Sequence, residues 1–280
     1  MTHTMYLKAI KRLLKYPRSI RMFFDRSKRS TIQELRRENS LASTLRYMLA
    51  CELGERRPLQ IRVSGEDVWI RPCSPDLEVA RSSLGGEFST LEHMFPRENV
   101  GLIVDAGAYI GTSALAFARM YPDAKIVGLE PSSANAELAR LNTNAIPNVT
   151  IEQAALVAVS ESGPLTLRDR GTGDWGFTIV AKPNDRTTQE IESVQTTTFK
   201  SVLERHGFRE AMITKMDIEG GESPLMTSPE WLGSSKVLMI ELHERIVEGV
   251  TEAFWSANKD RLVFKSDGEK FVSVGKSYFE

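Results

Sequence analysis

The sequence predicts an α/β protein: a mostly parallel sheet flanked by helices, closed by an antiparallel C-terminal hairpin and preceded by a helical and β-hairpin extension. Three observations carry this. From residue 101 onward, short apolar runs alternate with segments of helical period. Two of those runs end in turns that open helices, one carrying Gly107 and Gly111 and the other Glu130-Pro131. Near the C-terminus, two apolar runs flank Asp267-Gly268, a strong hairpin signal. The division falls between an extension, 1–95, and a sheet domain, 96–280.

The elements follow in order. In the first thirty residues Lys8, Lys11, Arg12, Lys15, Arg18, Arg21, Arg26, Lys28 and Arg29 face a single acid, Asp25. Leu7, Ile10, Leu13 and Leu14 recur at helical spacing, so this is a basic amphipathic helix interrupted near Pro17. Its apolar stripe suits either the body of the protein or an anionic membrane surface. A second helix is expected over 34–53, ending at Gly54, and a hairpin over 59–70 turning at Ser64-Gly65. Strands follow at 102–104, 126–129 and 149–153, with helices at 112–120 and 133–145, the latter capped by Ser132 or Ser133. The glycine-bearing stretch 156–194 reads as strands joined by long loops, where function often resides. A helix at 198–206 starts on Thr198 and stops before Gly207. Strands at 212–216 and 237–242 precede the hairpin of 262–265 and 270–274.

Composition narrows the function classes. With 41% hydrophobic and 26% charged residues the chain is an ordinary globular mixture, long enough to bury a core without staples. A net charge of -1 gives no indication of a nucleic-acid partner. The two cysteines, Cys51 and Cys73, lack metal-type spacing and read as reduced thiols of a cytoplasmic protein. No apolar run approaches the roughly 20 residues that span a bilayer, and no signal-peptide pattern is present.

The central motif is Val104-Asp105-Ala106-Gly107-Ala108-Tyr109-Ile110-Gly111, after a strand and before a helix. Gly107 permits a tight turn and a close backbone approach, Gly111 permits close helix–strand packing, and the helix N-terminus offers free N–H groups. The spacing D-x-G-x-x-x-G is not the dinucleotide fingerprint G-x-G-x-x-G. An acid at Asp105 would repel a diphosphate but attract the amino group and sulfonium of S-adenosylmethionine. Gly107, Ala108, Tyr109 and Gly111 are therefore expected to cradle that cofactor. Glu130, about 20 residues on, is placed to accept from both ribose hydroxyls, with Pro131 closing the strand. Ala154 leaves room for adenine, which Gln153 could hydrogen-bond.

A second constellation follows the fourth strand, Lys215-Met216-Asp217-Ile218-Glu219-Gly220-Gly221-Glu222. The next strand ends in Glu241-Leu242-His243. Adjacent strand ends would gather Asp217, Glu219, Glu241 and His243 where a methyl group meets its acceptor. His243 or a carboxylate would be the general base, and Lys215 would keep the carboxylates ionised. Asp217 is assigned to the cofactor as well as to the reaction. A structural ion-pair network is one alternative. A divalent-metal site of Asp217, Glu219, Glu241 and His243 is another, kept open though no metal is predicted.

At these residues the sequence resembles the FkbM family of S-adenosylmethionine-dependent methyltransferases, over roughly 74–243. The loop from Val104, the Glu130-Pro131 pair with Asn135 and Asn142 behind it, the run Gln153-Ala154-Ala155-Leu156 with Gly163, the run from Lys215 to Glu222, and Glu241-Leu242-His243 each resemble a family motif. So do Asp76 and Gly86-Glu87-Phe88, and the resemblance implies that Glu87 reaches the methionine end of the cofactor and that Asn135 belongs to its site. Lys200 and Gly221 depart mildly from the family pattern. The resemblance implies a Rossmann-like class I methyltransferase sheet and O-methylation of a glycan or secondary-metabolite hydroxyl.

The expected partner is a small-molecule or glycan acceptor, lipid-linked if residues 1–30 touch the inner face of a membrane. Tyr109, Trp175, Phe177 and Trp231 are candidates for stacking on it. Two other classes stay open: a nicotinamide-dependent oxidoreductase, against which the loop spacing argues, and a non-catalytic nucleoside-binding protein on the same fold.

Overall fold

A computed structural model describes residues 26–159, 163–266 and 268–279. The basic helix expected before residue 26, and Asp267 of the hairpin turn, lie outside the described residues. The chain divides into two compact units, 1–77 and 78–280.

In the first unit, helices α1 (Arg26–Glu38) and α2 (Leu41–Glu52) replace the single helix expected over 34–53. Asn39 and Ser40 break it: Ser40 is extended, and its hydroxyl caps α2 by accepting from the Ser43 N–H. Strands β1 (Leu59–Val63) and β2 (Glu66–Ile70) pair antiparallel, with every second residue of β1 buried. Their turn has φ of 50° at Ser64 and 84° at Gly65, the left-handed pair of a twist-matched hairpin. The Glu38 carboxylate accepts from both turn N–H groups, at 3.0 and 2.7 Å.

Helix α3 (Asp76–Leu84) leads into the second unit. There follow α4 (Ser89–Met94), β3 (Leu102–Ala106), α5 (Thr112–Met120), β4 (Lys125–Leu129), α6 (Ser133–Thr143) and β5 (Val149–Glu152). Next come β6 (Ala155–Val157), β7 (Leu165–Asp169), β8 (Gln189–Val194), β9 (Thr196–Thr198) and α7 (Phe199–His206). The rest is β10 (Ala211–Met216), α8 (Glu222–Thr227), β11 (Ser235–Glu241), α9 (Val250–Ala257), β12 (Leu262–Lys265) and β13 (Lys270–Val274).

Seven strands form the main sheet in the order β12-β13-β11-β10-β3-β4-β5. β11, β10, β3, β4 and β5 run parallel; β13 enters antiparallel between β11 and β12. β3 and β4 are almost wholly buried, as parallel strands covered on both faces must be. Leu102, Val104, Val127, Leu129, Met216, Leu238, Ile240 and Phe254 share one core cluster. Each such side chain contributes about 1.5–3 kcal/mol by leaving water.

The chain order reverses between β3 and β10, so a crevice opens beyond their carboxyl ends. Above it, β7 and β8 pair antiparallel as a separate arm joined by residues 170–188. Among the described residues, no helix is long and apolar enough to cross a membrane.

Candidate active site

A cleft of about 550 Å³ occupies the crevice. Glu87, Gly107, Ala108, Tyr109, Glu130, Pro131, Asn135, Ala154, Lys215, Asp217, Glu219 and Glu241 line it, so most of the sequence-predicted residues come together. Gln153, Gly111 and His243 are not in its lining; Gln153 is exposed, and His243 is buried.

The loop after β3 is shaped by two left-handed positions. Gly107 has φ 81°, and a Cβ there would lie 1.8 Å from the Asp217 carbonyl oxygen. The close approach that demands glycine is thus to the chain's own β10 exit. Gly111 is likewise demanded by helix α6, not by the strand expected: its Cβ would meet Ala139 Cα at 3.0 Å. Tyr109, a non-glycine, holds φ 50° between them. Such a conformation persists only where the surroundings over-determine it, typically at a site. Here the Tyr109 N–H donates to the Glu130 carboxylate at 2.9 Å.

Glu130 is buried and also accepts from the Ser132 N–H at 3.0 Å and the Asn135 amide at 3.4 Å. Burial pushes its carboxyl up to about 7, against the pull of those hydrogen bonds. Asp105 lies beneath the cleft, fully buried and outside its lining. It accepts from Ser113 Oγ at 2.5 Å and pairs with Lys215 Nζ at 3.4 Å, while burial pushes its carboxyl up. The charge expected to draw a cation from the ligand is therefore answered by Lys215, which also donates to the Gly107 carbonyl at 2.7 Å.

The ends of β10 and β11 bring Asp217, Glu219, Glu241 and His243 into one cluster. Glu219 sits at φ 51°. Burial pushes its carboxyl up to about 7, aided by the Asp217 charge and opposed by His243 and Arg170. Burial disfavours a charged His243, yet the Glu222 hydrogen bond and the charges of Glu222, Asp217 and Glu219 prevail and push it up to about 9.

Several residues escaped the sequence reading. Arg170, almost wholly buried, reaches from the arm to Asp185 at 2.7 Å and Glu219 at 2.5 Å. Thr178 Oγ1 donates to the Glu219 carbonyl at 2.6 Å. Lys270 pairs with Glu241 at 2.8 Å and Glu87 at 2.9 Å. The Lys270 pairing had a signal: an antiparallel β13 puts Lys270 directly across from Glu241. Arg170 had none, since 49 positions separate it from Glu219. Of the aromatic candidates, Tyr109, Trp175 and Phe177 line the cleft. Trp231 packs on Phe199 with ring centroids 5.0 Å apart, in the core.

The donor set fits a nucleoside cofactor with a cationic amino-acid end. Ala154, Ala155 and Leu156 give an apolar wall. Glu130 stands beside it as an acceptor, and Asn135 Oδ1 is buried there without a hydrogen-bond partner. Glu87 and Asp217 supply negative charge across the cleft.

Comparison with known proteins agrees with this reading. Residues 105–260 match the family described as the methyltransferase FkbM domain. Among solved structures, an O-methyltransferase from Bacillus cereus in complex with SAH aligns at 15% identity and a TM-score of 0.41, over 71% of this chain and 88% of that one. An S-adenosylmethionine-dependent O-methyltransferase from Thermotoga maritima aligns at 12% identity and 0.38, over 78% and 77%. A methyltransferase from Geobacter sulfurreducens aligns at 16% and 0.38, over 68% and 78%. These are distant likenesses of fold. No curated protein sequence matches the chain. The family match covers more than half of the chain and includes both constellations at the cleft, and the protein belongs to the FkbM methyltransferase domain family.

Proposed function

We propose that this S-adenosylmethionine-dependent methyltransferase transfers its methyl group to a hydroxyl of a glycan or secondary-metabolite acceptor. The observation that carries the reading is the cluster of Asp217, Glu219 and Glu241, which line the cleft, with His243 buried behind them. A hydroxyl attacking a sulfonium methyl carbon must lose its proton, and these groups provide acceptors for it. When bound, the cofactor supplies the activated methyl carbon. The chain's own residues do the rest. Glu130 and Asn135 hold the nucleoside side, and Glu87, Asp217 and the loop from Gly107 hold the amino-acid side. Trp175, half-exposed and fixed by its Nε1–H donating to the Thr172 carbonyl at 2.6 Å, offers an apolar face at the cleft mouth. Such a face beside hydrogen-bonding carboxylates suits a sugar ring. Alignment of acceptor and methyl donor supplies the larger share of the rate.

The reading is tested by incubating the protein with methyl-labelled S-adenosylmethionine and pools of nucleotide sugars, lipid-linked glycans and polyketides. Label is expected in a base-stable methyl ether, located by mass spectrometry of the released product. Label found only in amines or base-labile esters would remove O-methylation.

A further inference from the structure

Each carboxylate around His243 uses its two oxygens differently. Glu241 Oε2 is held by Lys270 Nζ at 2.8 Å, Glu219 Oε2 by Arg170 Nη2 at 2.5 Å, and Asp217 Oδ2 by Lys270 and Lys215 at 3.8 and 3.9 Å. The other oxygen of each points inward: Glu241 Oε1, Asp217 Oδ1 and Glu219 Oε1 lie 3.5, 3.7 and 3.7 Å from His243 Nε2. Three acids are thus anchored from outside by fixed cations and converge on one point.

His243 is oriented toward that point from behind. Its Nδ1 lies 2.9 Å from Glu222 Oε1. Glu222 is fully buried and also accepts from the Ile218 and Gly220 N–H groups at 2.9 and 2.8 Å. A carboxyl so surrounded by donors is an acceptor, so Nδ1 carries the proton. Nε2 is left buried without a hydrogen-bond partner, facing the three inward oxygens. A proton on Nε2 would be drawn by their charge but would close a good hydrogen bond to none of them, since all three lie at 3.5–3.7 Å, well beyond the usual N–H···O range. A lone pair there would face three anionic oxygens with nothing between.

A metal ion resolves the arrangement. Ligands at about 2.0–2.2 Å from one ion lie roughly 3.0–3.4 Å apart along the edges of an octahedron or tetrahedron. The three Nε2–oxygen separations of 3.5–3.7 Å exceed that by only a few tenths of an ångström. The ligand atoms of Asp217, Glu219 and His243 all lie within 4.8 Å of one another. A carboxylate behind the non-ligating nitrogen of the histidine is the usual support of a metal-bound imidazole, and Glu222 stands there. We propose that His243 Nε2, Asp217, Glu219 and Glu241 bind one divalent transition cation at the end of the cleft. One imidazole among carboxylates suits Mn²⁺ better than Mg²⁺, which prefers oxygen and water alone. Beside an acceptor hydroxyl, such a cation would lower its pKa; that role rests on the methyl-transfer reading, whereas the binding site does not.

The test uses the full chain, treated with chelator and titrated with Mn²⁺, following loss of the free-ion signal by electron paramagnetic resonance. Saturable one-to-one binding is expected, weakened roughly 100-fold or more in His243→Ala and 10–100-fold in Glu222→Gln, whose carboxylate only orients the imidazole. Glu241→Gln gives a second ligand variant should His243→Ala not fold. Calorimetry with S-adenosylmethionine on the chelated protein runs alongside. Cofactor binding without any saturable Mn²⁺ site would overturn the metal site and leave the methyltransferase reading standing. Mn²⁺ binding that is equal in wild type, His243→Ala and Glu241→Gln would overturn it equally.

Discussion

Glu130 shows how one residue can constrain a fold and at the same time stand in a ligand-sized cleft. Its carboxyl is pushed from an ordinary 4.5 to about 7, chiefly by burial. The folded state therefore holds its proton more tightly than the unfolded chain. The stability this lends is fully present below 4.5 and is lost as pH rises through about 7, up to about 3 kcal/mol. Glu130→Gln is expected to flatten the decline of melting temperature between those limits, and to weaken S-adenosylmethionine binding about tenfold or more by calorimetry. A wild-type melting temperature that rises steadily over that range would contradict the buried, protonatable state. The residues that sequence made legible here are those in compact motifs: Gly107, Glu130, Lys215 and Asp217 each sit within a few positions of a strand end. What sequence could not show was which side of the strand end each would face. Asp105 follows the same pattern as Glu130, yet it is sealed below the cleft by Ser113 and Lys215.

At the scale of elements, the arm of β7 and β8 is fastened to the loop after β10 through Arg170 and Thr178, which both bond to Glu219. Arg170 also binds Asp185 and donates to the Gly176 carbonyl at 3.1 Å, so it folds its own loop while holding Glu219. Arg170→Ala removes the nearest cation from Asp185 and Glu219 and is expected to cost about 3 kcal/mol. Limited proteolysis should then cut fastest within 170–188. An unchanged cleavage pattern would show that the arm is held by something else. The strands of the parallel sheet were legible because they are short, apolar and followed by helical periods. The arm was legible only as strands joined by long loops, without their bounds or pairing, because β8 is mostly exposed without alternation and a register shift interrupts β7 at Leu167/Arg168. The helix break before Ser40 was hidden because Asn39 and Ser40 lie between two good helix-forming runs, and only the cap geometry separates them.

The whole chain is nearly neutral, but its charge is not evenly spread. Residues 1–29 carry nine cations against Asp25, a net of +8, which leaves -9 on the remainder. An anionic bilayer would attract the first segment and repel the rest, at about 1 kcal/mol per basic residue near the surface. Co-sedimentation with vesicles rich in anionic lipid is expected for the full chain and not for one lacking residues 1–30. Equal sedimentation of the two would dismiss a membrane-linked acceptor route. The placement of β13 between β11 and β12 has a consequence for synthesis on the ribosome. Asp217 and Glu241 are made well before Lys270, the cation that draws Glu241 and Glu87 together. From Asp105 to Lys270 the ribosome needs on the order of ten seconds at typical elongation rates. Until β13 pairs with β11, Glu87 and Glu241 lack this shared cation, although Lys215 and Arg170 already answer Asp105 and Glu219, so the cleft is electrostatically complete only when the last hairpin joins the edge of the sheet.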